Sequence, residues 1–204
     1  MTDELLVAGA IDAEEAVEAL VRALELHDYR RGLFAETEAH GARVTRLALD
    51  VAQRVAPELA ADSALEYGFR LHDIGMIGVS SAILSKAGSL TRDELDEVRE
   101  HPLLGERIVA PISSLGGVTR QVIGFHHERW NGSGYPRRLE RERIPLPARI
   151  FMLADVYDAM TSEQPYRQAL PPEIALAEIE RGAGTLFDPE LVPMFLELVA
   201  SRAA

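Results

Sequence analysis

Apolar residues in this chain recur three and four positions apart almost from end to end. No segment alternates apolar and polar residues with the period of two that a half-buried strand requires. That pattern restricts the chain to an all-α fold. From Asp12 to about Tyr29, the residues Ala16, Val17, Leu20, Val21 and Leu24 mark one helix, which Asp12 and Glu15 open in the manner of a capping box. A second is expected from about Glu36 to Val55, striped by Val44, Leu47, Ala48 and Val51 and stopped by Pro57. Ser63 and Glu66 should open a third that runs into His72-Asp73 and breaks at Gly75 and Gly78. Ile77 to Leu84 reads as an irregular connection holding at most a helical turn. Thr91 and Glu94 cap a helix to about His101, and Pro102 opens the next, from Leu103 to Val109. Residues 116–127 form another, a strongly apolar helix runs from Pro147 to Met160, and Pro172 and Asp188-Pro189 start the last two.

Composition narrows the function classes. The 204 residues suit one domain with a short extension, 47% of them hydrophobic, enough for a real core. A net charge of −12 argues against nucleic-acid polymers and membrane surfaces, both of which attract basic faces. A phosphate-bearing small molecule stays possible where a metal or local arginines reverse the field. With Cys at 0, disulfides, thiolate ligands and a cysteine nucleophile are excluded. A metal site must use His and carboxylates, which suits iron, manganese or zinc. The start, Met1 to Glu15, lacks a signal peptide's basic and apolar regions, so a cytoplasmic protein is expected.

Chemistry concentrates at His126-His127-Glu128-Arg129-Trp130-Asn131-Gly132-Ser133-Gly134-Tyr135-Pro136. Two adjacent imidazoles stand beside backbone too rich in Gly and Pro to stay helical, and irregular segments next to strong ligands are usual at sites. Glu36 and His40 share a helix face, His72 and Asp73 are adjacent at an expected helix end, and His101 precedes a helix-opening Pro. Asp155 and Asp158 sit three apart on an apolar helix, where a carboxylate is costly unless paired or bound to a metal. Singly, each has an ordinary reading: a solvated i,i+4 pair, a cap, an ion pair. Jointly, the donors exceed what one ion needs and suggest two or three metals. Clustered divalent ions would turn a bridging water into hydroxide at neutral pH, with no side-chain nucleophile.

His72-Asp73-Ile74-Gly75, with His40 before it and Asp155 after it, resembles an HD-domain metal-dependent phosphohydrolase. His101-Pro102, the stretch His126–Pro136 and Ala154–Ser162 narrow the resemblance to the HD-GYP family, over about Leu26 to Leu198. The resemblance implies an HD-domain helical bundle with an irregular GYP loop, residues 31–204, behind an N-terminal segment 1–30 packed on it or leading into it. It implies hydrolysis of the cyclic dinucleotide c-di-GMP with two or three divalent ions, iron or manganese. By position, Glu36, His40, His72, Asp73, His101, His126, His127 and Asp155 would be metal ligands. His72 and Asp73 form the catalytic pair, Asp73 bridges two metals, and Asp158 stands behind them. Gly134, Tyr135, Pro136 and Arg167 would face the substrate, and the GYP loop would also face signalling partners.

Two positions depart from the family pattern. Met76 stands where it usually has Lys, and Gln164 where it usually has Arg. Each loses a charge-assisted phosphate contact worth about 1.5–3 kcal/mol. Three alternatives therefore stay open: a c-di-GMP receptor or weak enzyme, a phosphohydrolase of another nucleotide, or a protein-binding scaffold. The arginines at 137, 138, 141 and 143 are expected to form a solvated loop face, and the first helix to pack on the domain or pair two copies.

Overall fold

The structure, a computed structural model, describes residues 12–29, 34–163 and 168–203, without the side chains of 28, 29, 34–39 and 203. Eleven α-helices follow one another among them: α1 (Ala13–Tyr29), α2 (Phe34–Val55), α3 (Pro57–Ala60), α4 (Ser63–Arg70), α5 (Ser81–Leu84), α6 (Arg92–Val98), α7 (His101–Val109), α8 (Gly117–Phe125), α9 (Leu146–Thr161), α10 (Pro172–Arg181) and α11 (Leu191–Ala203). Only two isolated bridges, Asn131 with Glu140 and Ala183 with Phe187, resemble sheet pairing among the described residues. The all-α expectation holds.

Two apolar clusters hold the bundle. The larger joins Val44, Leu47, Ala48 and Val51 of α2 to Leu65 and Phe69 of α4, Ile150, Phe151 and Leu153 of α9, Ile179 of α10 and Phe195 of α11. At its centre the Phe69 and Phe151 rings pack 5.3 Å apart. Burying such a ring contributes about 1.5–3 kcal/mol. α9 runs through the middle, which is why it is apolar nearly all round: Ile150, Phe151, Leu153 and Ala154 are fully buried. The second cluster sets Val17 and Leu24 of α1 against Leu71, Ile74, Val109, Leu115 and Ile123. α1 thus packs one apolar stripe onto the bundle. No helix among the described residues is long and apolar enough to cross a membrane.

Several boundaries differ from expectation, for local reasons. Asp62, not Ser63, caps α4, its side chain accepting from the Ala64 N–H. That helix ends at Arg70 instead of continuing into His72-Asp73, and the chain tightens into a 3-10 turn over Ile74–Gly78. The turn is needed because Gly75 presses against the start of α7, where a Cβ would overlap the His101 carbonyl oxygen. The Thr91–Glu94 capping box forms as expected, but α6 stops at Val98 and His101 opens α7. α8 stops at Phe125, so His126 and His127 stand just past its end.

Candidate metal centre

Four elements and one turn deliver donors to one place. α2 carries His40, the turn after α4 carries His72 and Asp73, α7 begins with His101, α8 ends into His126 and His127, and α9 carries Asp155. Their ligand atoms fall into two groups, Asp73 with His101, His126 and His127, and His40 with His72 and Asp155, each within 4.8 Å internally. Asp73 stands between the groups. Its Oδ1 lies 3.2 Å from His101 Nε2 and 3.6 Å from His126 Nε2, while its Oδ2 lies 3.4 Å from His72 Nε2. On the other side, Asp155 Oδ1 is 3.3 Å from His40 Nε2.

The backbone decides which nitrogen each histidine presents. Nδ1 lies 2.9 Å from the Phe69 carbonyl in His72, 2.8 Å from that of Val98 in His101 and 3.0 Å from that of Ile123 in His126. A carbonyl only accepts, so Nδ1 donates its hydrogen and Nε2 is the nitrogen turned inward, the orientation metal-ligating histidines adopt. Between His101 and His126 the two Nε2 atoms are 3.1 Å apart. Two bare lone pairs at that distance would repel, so either a proton or a metal cation lies between them. Metal–nitrogen bonds of about 2.1 Å at right angles would put two ligand atoms about 3.0 Å apart, so the donor set fits a divalent ion. Phe151 closes the floor, its ring 4.6 Å from that of His72 and 6.0 Å from that of His126.

Protonation differs between the groups. Burial pushes His126 and His127 down, so both are neutral and ready to ligate. At His40 burial opposes the charged form, but the Asp155 and Asp158 carboxylates outweigh it and hold the pKa up at about 10. His72 is likewise raised, Asp73 overcoming the cost of burial. Burial would raise Asp73, yet His72, His101 and His126 together hold it well below the usual carboxylate range.

The loop after His127 covers one side of the cluster. Tyr135 lays its ring 4.7 Å from that of His127, across a cis Tyr135–Pro136 bond, and the Arg99 guanidinium stands 5.7 Å from the Tyr135 centroid. Gly134 is required there, since a Cβ would collide with the backbone of His127, Glu128 and Arg129. Glu128 is buried, and its two oxygens accept the Arg137 N–H at 2.7 Å and the Leu139 N–H at 3.0 Å, tying both arms of the loop together. The Trp130 and Asn131 N–H groups donate to Leu186 and Thr185, anchoring the loop on the turn after α10.

Other residues that sequence reasoning singled out lie at varied places. Asp158 sits behind His40, its Oδ2 2.7 Å from His40 Nδ1. Glu36 lies in α2, but its side chain is outside the described residues, as are Gln164 and Arg167 altogether. Met76 is half-buried against the second apolar cluster. The four arginines of the expected solvated face are all exposed, and Arg137 in addition pairs with Glu106 at 2.6 Å and covers the Phe125 ring. Sequence reasoning missed Glu128, whose buried carboxylate holds the loop, and Arg43, which grips Asp158. Only the H-x-x-R spacing, one helical turn, could have signalled Arg43.

Comparison with known proteins agrees with this geometry. Residues 25–191 match the HD domain family. A cyclic di-GMP phosphodiesterase of Thermotoga maritima is 40% identical over 167 residues, covering 80% of this chain and 45% of that protein. A 3'3'-cGAMP-specific phosphodiesterase of Vibrio cholerae is 39% identical over 154 residues, covering 76% of this chain and 33% of that protein. The chain therefore spans less than half the length of either relative. The crystal structure of a cyclic GMP-AMP-specific phosphodiesterase of V. cholerae shares the fold, with a TM-score of 0.64 at 22% identity over 94% of this chain and 50% of that one. With the HD pair, the split donor groups and the GYP loop in place, the chain belongs to the HD-domain family, in its HD-GYP branch.

Proposed function

We propose that this chain is a metal-dependent phosphodiesterase that opens a cyclic dinucleotide, c-di-GMP. The observation that carries the reading is Asp73, whose two oxygens face different histidine groups. One carboxylate shared between two donor sets is the arrangement a pair of divalent ions needs. His40, His72 and Asp155 would hold one ion, and His101, His126 and His127 the other, with Asp73 touching both; a third ion would need Glu36. Ions held there would supply charge to the phosphoryl oxygens and an activated water for in-line attack. The His-and-carboxylate donor set suits iron or manganese.

The chain's own groups then orient and enclose. The carbonyls of Phe69, Val98 and Ile123 fix the rings of His72, His101 and His126 so that each Nε2 faces the donor cluster. Burial, with Asp73 nearby, raises the Tyr135 phenol above its ordinary pKa, so its hydroxyl stays a donor at the mouth of the site. Gly134, Tyr135 and Pro136 line that mouth, with Arg167 as a further dinucleotide contact. The purified chain, reconstituted with manganese or iron, should convert c-di-GMP to the linear dinucleotide or GMP. No turnover in any metal state would overturn this substrate.

A second reading keeps the chemistry and changes the ligand, and two observations favour it. One close relative is a cGAMP-specific phosphodiesterase, and Met76 leaves an apolar side chain where a phosphate contact would stand. Assaying a panel of cyclic dinucleotides separates the substrates; tight binding without product identifies a receptor. We place the protein in the cytoplasm, where such messengers act, with the GYP loop as the docking face for signalling partners and a homodimer as its assembly.

A further inference from the structure

We propose that Arg43 is a positioning residue for the metal centre, locking Asp158 so that His40 offers one nitrogen, Nε2, to an ion. The inference rests on His40 being a ligand, as proposed above. It starts from two one-turn pairs on facing helices: His40 and Arg43 on α2, Asp155 and Asp158 on α9. In each pair the first residue points into the cluster and the second stands behind it.

The distances describe a clamp. Arg43 Nε donates to Asp158 Oδ1 at 2.6 Å and its terminal nitrogen to Oδ2 at 2.9 Å, a two-pronged contact that fixes the carboxylate plane. The same Oδ2 receives His40 Nδ1–H at 2.7 Å. The Arg43 terminal nitrogen also donates to Ser162 Oγ at 2.9 Å, just past the end of α9, so the fork cannot swing away from that helix. Asp158 is only 8% exposed at its side chain, and the described contacts occupy both its oxygens. Without the fork, a carboxylate that buried could rotate off His40, and the imidazole could then flip or change tautomer. With it, Nδ1–H is committed and Nε2 is the one nitrogen that can give up its proton to an ion. Arg43 touches neither ion nor substrate, and its effect passes through Asp158 to His40. His101, His126 and His127 share no described hydrogen bond with Arg43, Asp158 or His40, and only Asp73 would touch both ions, so the effect should fall chiefly on one ion.

The test is a titration of the chelator-stripped full chain with manganese(II), following the free ion by paramagnetic resonance. The unsubstituted chain should bind two ions. In Arg43→Met one binding step should weaken about ten- to a hundredfold while the other stays unchanged. Asp158→Asn should weaken the same step, and Arg43→Lys, which keeps the charge but not the fork, should fall between. Arg181→Met, which removes a surface pair with Glu178, serves as the control. An Arg43→Met chain that melts earlier but keeps both manganese steps would show a purely structural clamp and overturn the proposal. If that variant does not fold, an unchanged isotherm in Arg43→Lys overturns it equally. An unsubstituted chain that binds no manganese would sink the metal-centre reading itself, and this inference with it.

Discussion

Metal uptake at the His40 group should expel protons, and uptake at the His126 group should not. His40 is held up at about 10, so in the metal-free chain at pH 7 it is an imidazolium with both nitrogens donating, Nδ1 to Asp158 and Nε2 to Asp155. An ion that takes Nε2 must displace one proton against a gap of about three pH units, worth about 4 kcal/mol, or a thousandfold in apparent affinity. Affinity at this position should therefore climb about tenfold per pH unit up to about pH 10. His72, also raised, adds to the release, whereas His126 and His127, pushed down by burial, are already neutral. Calorimetry in buffers of differing ionisation enthalpy reads this directly. One phase should show buffer-dependent heat for about one proton or more per ion, the other none. The sign extends to folding. A raised His40 stabilises the metal-free chain fully below pH 6.5 and loses that contribution as pH rises through 10. From pH 6.5 to 10 the melting temperature should thus fall without metal and stay nearly level with saturating metal, because His40 is then neutral in both the metal-bound and the unfolded states. Buffer-independent heats in both phases, with parallel melting curves, would refute the reasoning.

Further outcomes follow from single contacts. Glu128→Gln replaces one of two accepting oxygens with a donor facing a loop N–H, which should cost about 1–3 kcal/mol in denaturant unfolding. Gly134→Ala forces a Cβ into the backbone around His127 and should lower stability by about 1–3 kcal/mol, with the Tyr135–His127 contact displaced in a crystal structure of the variant. Met76→Lys and Gln164→Arg should each raise kcat/KM on c-di-GMP by tens to hundreds of fold, because each restores a contact worth about 1.5–3 kcal/mol. Removing metal with a chelator should abolish c-di-GMP binding, read by fluorescence anisotropy, and not turnover alone.

How much of this could be read from the sequence depends on whether a residue's role is local. Helix identity was legible because each helix buries an apolar stripe whose period survives in the sequence, as Val44, Leu47 and Val51 do. Helix ends were less so. Ser63 and Asp62 are both good caps, and only the backbone geometry selects Asp62. The end of α4 was set from a distance, by the fit of Gly75 under His101, which no local rule contains. Site donors were legible as residue types, since histidines and carboxylates are rare on apolar faces, and their convergence on Asp73 is tertiary. Arg137 shows the limit: four arginines in a polar loop look alike, yet one finds Glu106 and Phe125 from other helices.

The charge balance sharpens what the metals must do. On the proposed function, a protein of net charge −12 would have to attract a dinucleotide that carries two negative phosphates. Arg99 and Arg129 stand near Tyr135, but several other arginines that could reverse that field are already paired. Arg43 neutralises Asp158, Arg70 pairs with Glu18, Arg137 with Glu106 and Arg149 with Asp188. Arg99, which stands over Tyr135, also reaches Asp96 at 3.4 Å. Each pair cancels most of the local field that its guanidinium would project. Asp73 and Asp155 add negative charge inside the cluster, so the polypeptide alone should repel a phosphodiester. On the proposed function, bound cations would reverse that sign where the phosphate would lie. Recognition and chemistry then depend on the same ions, which is why binding and turnover should fail together when they are removed.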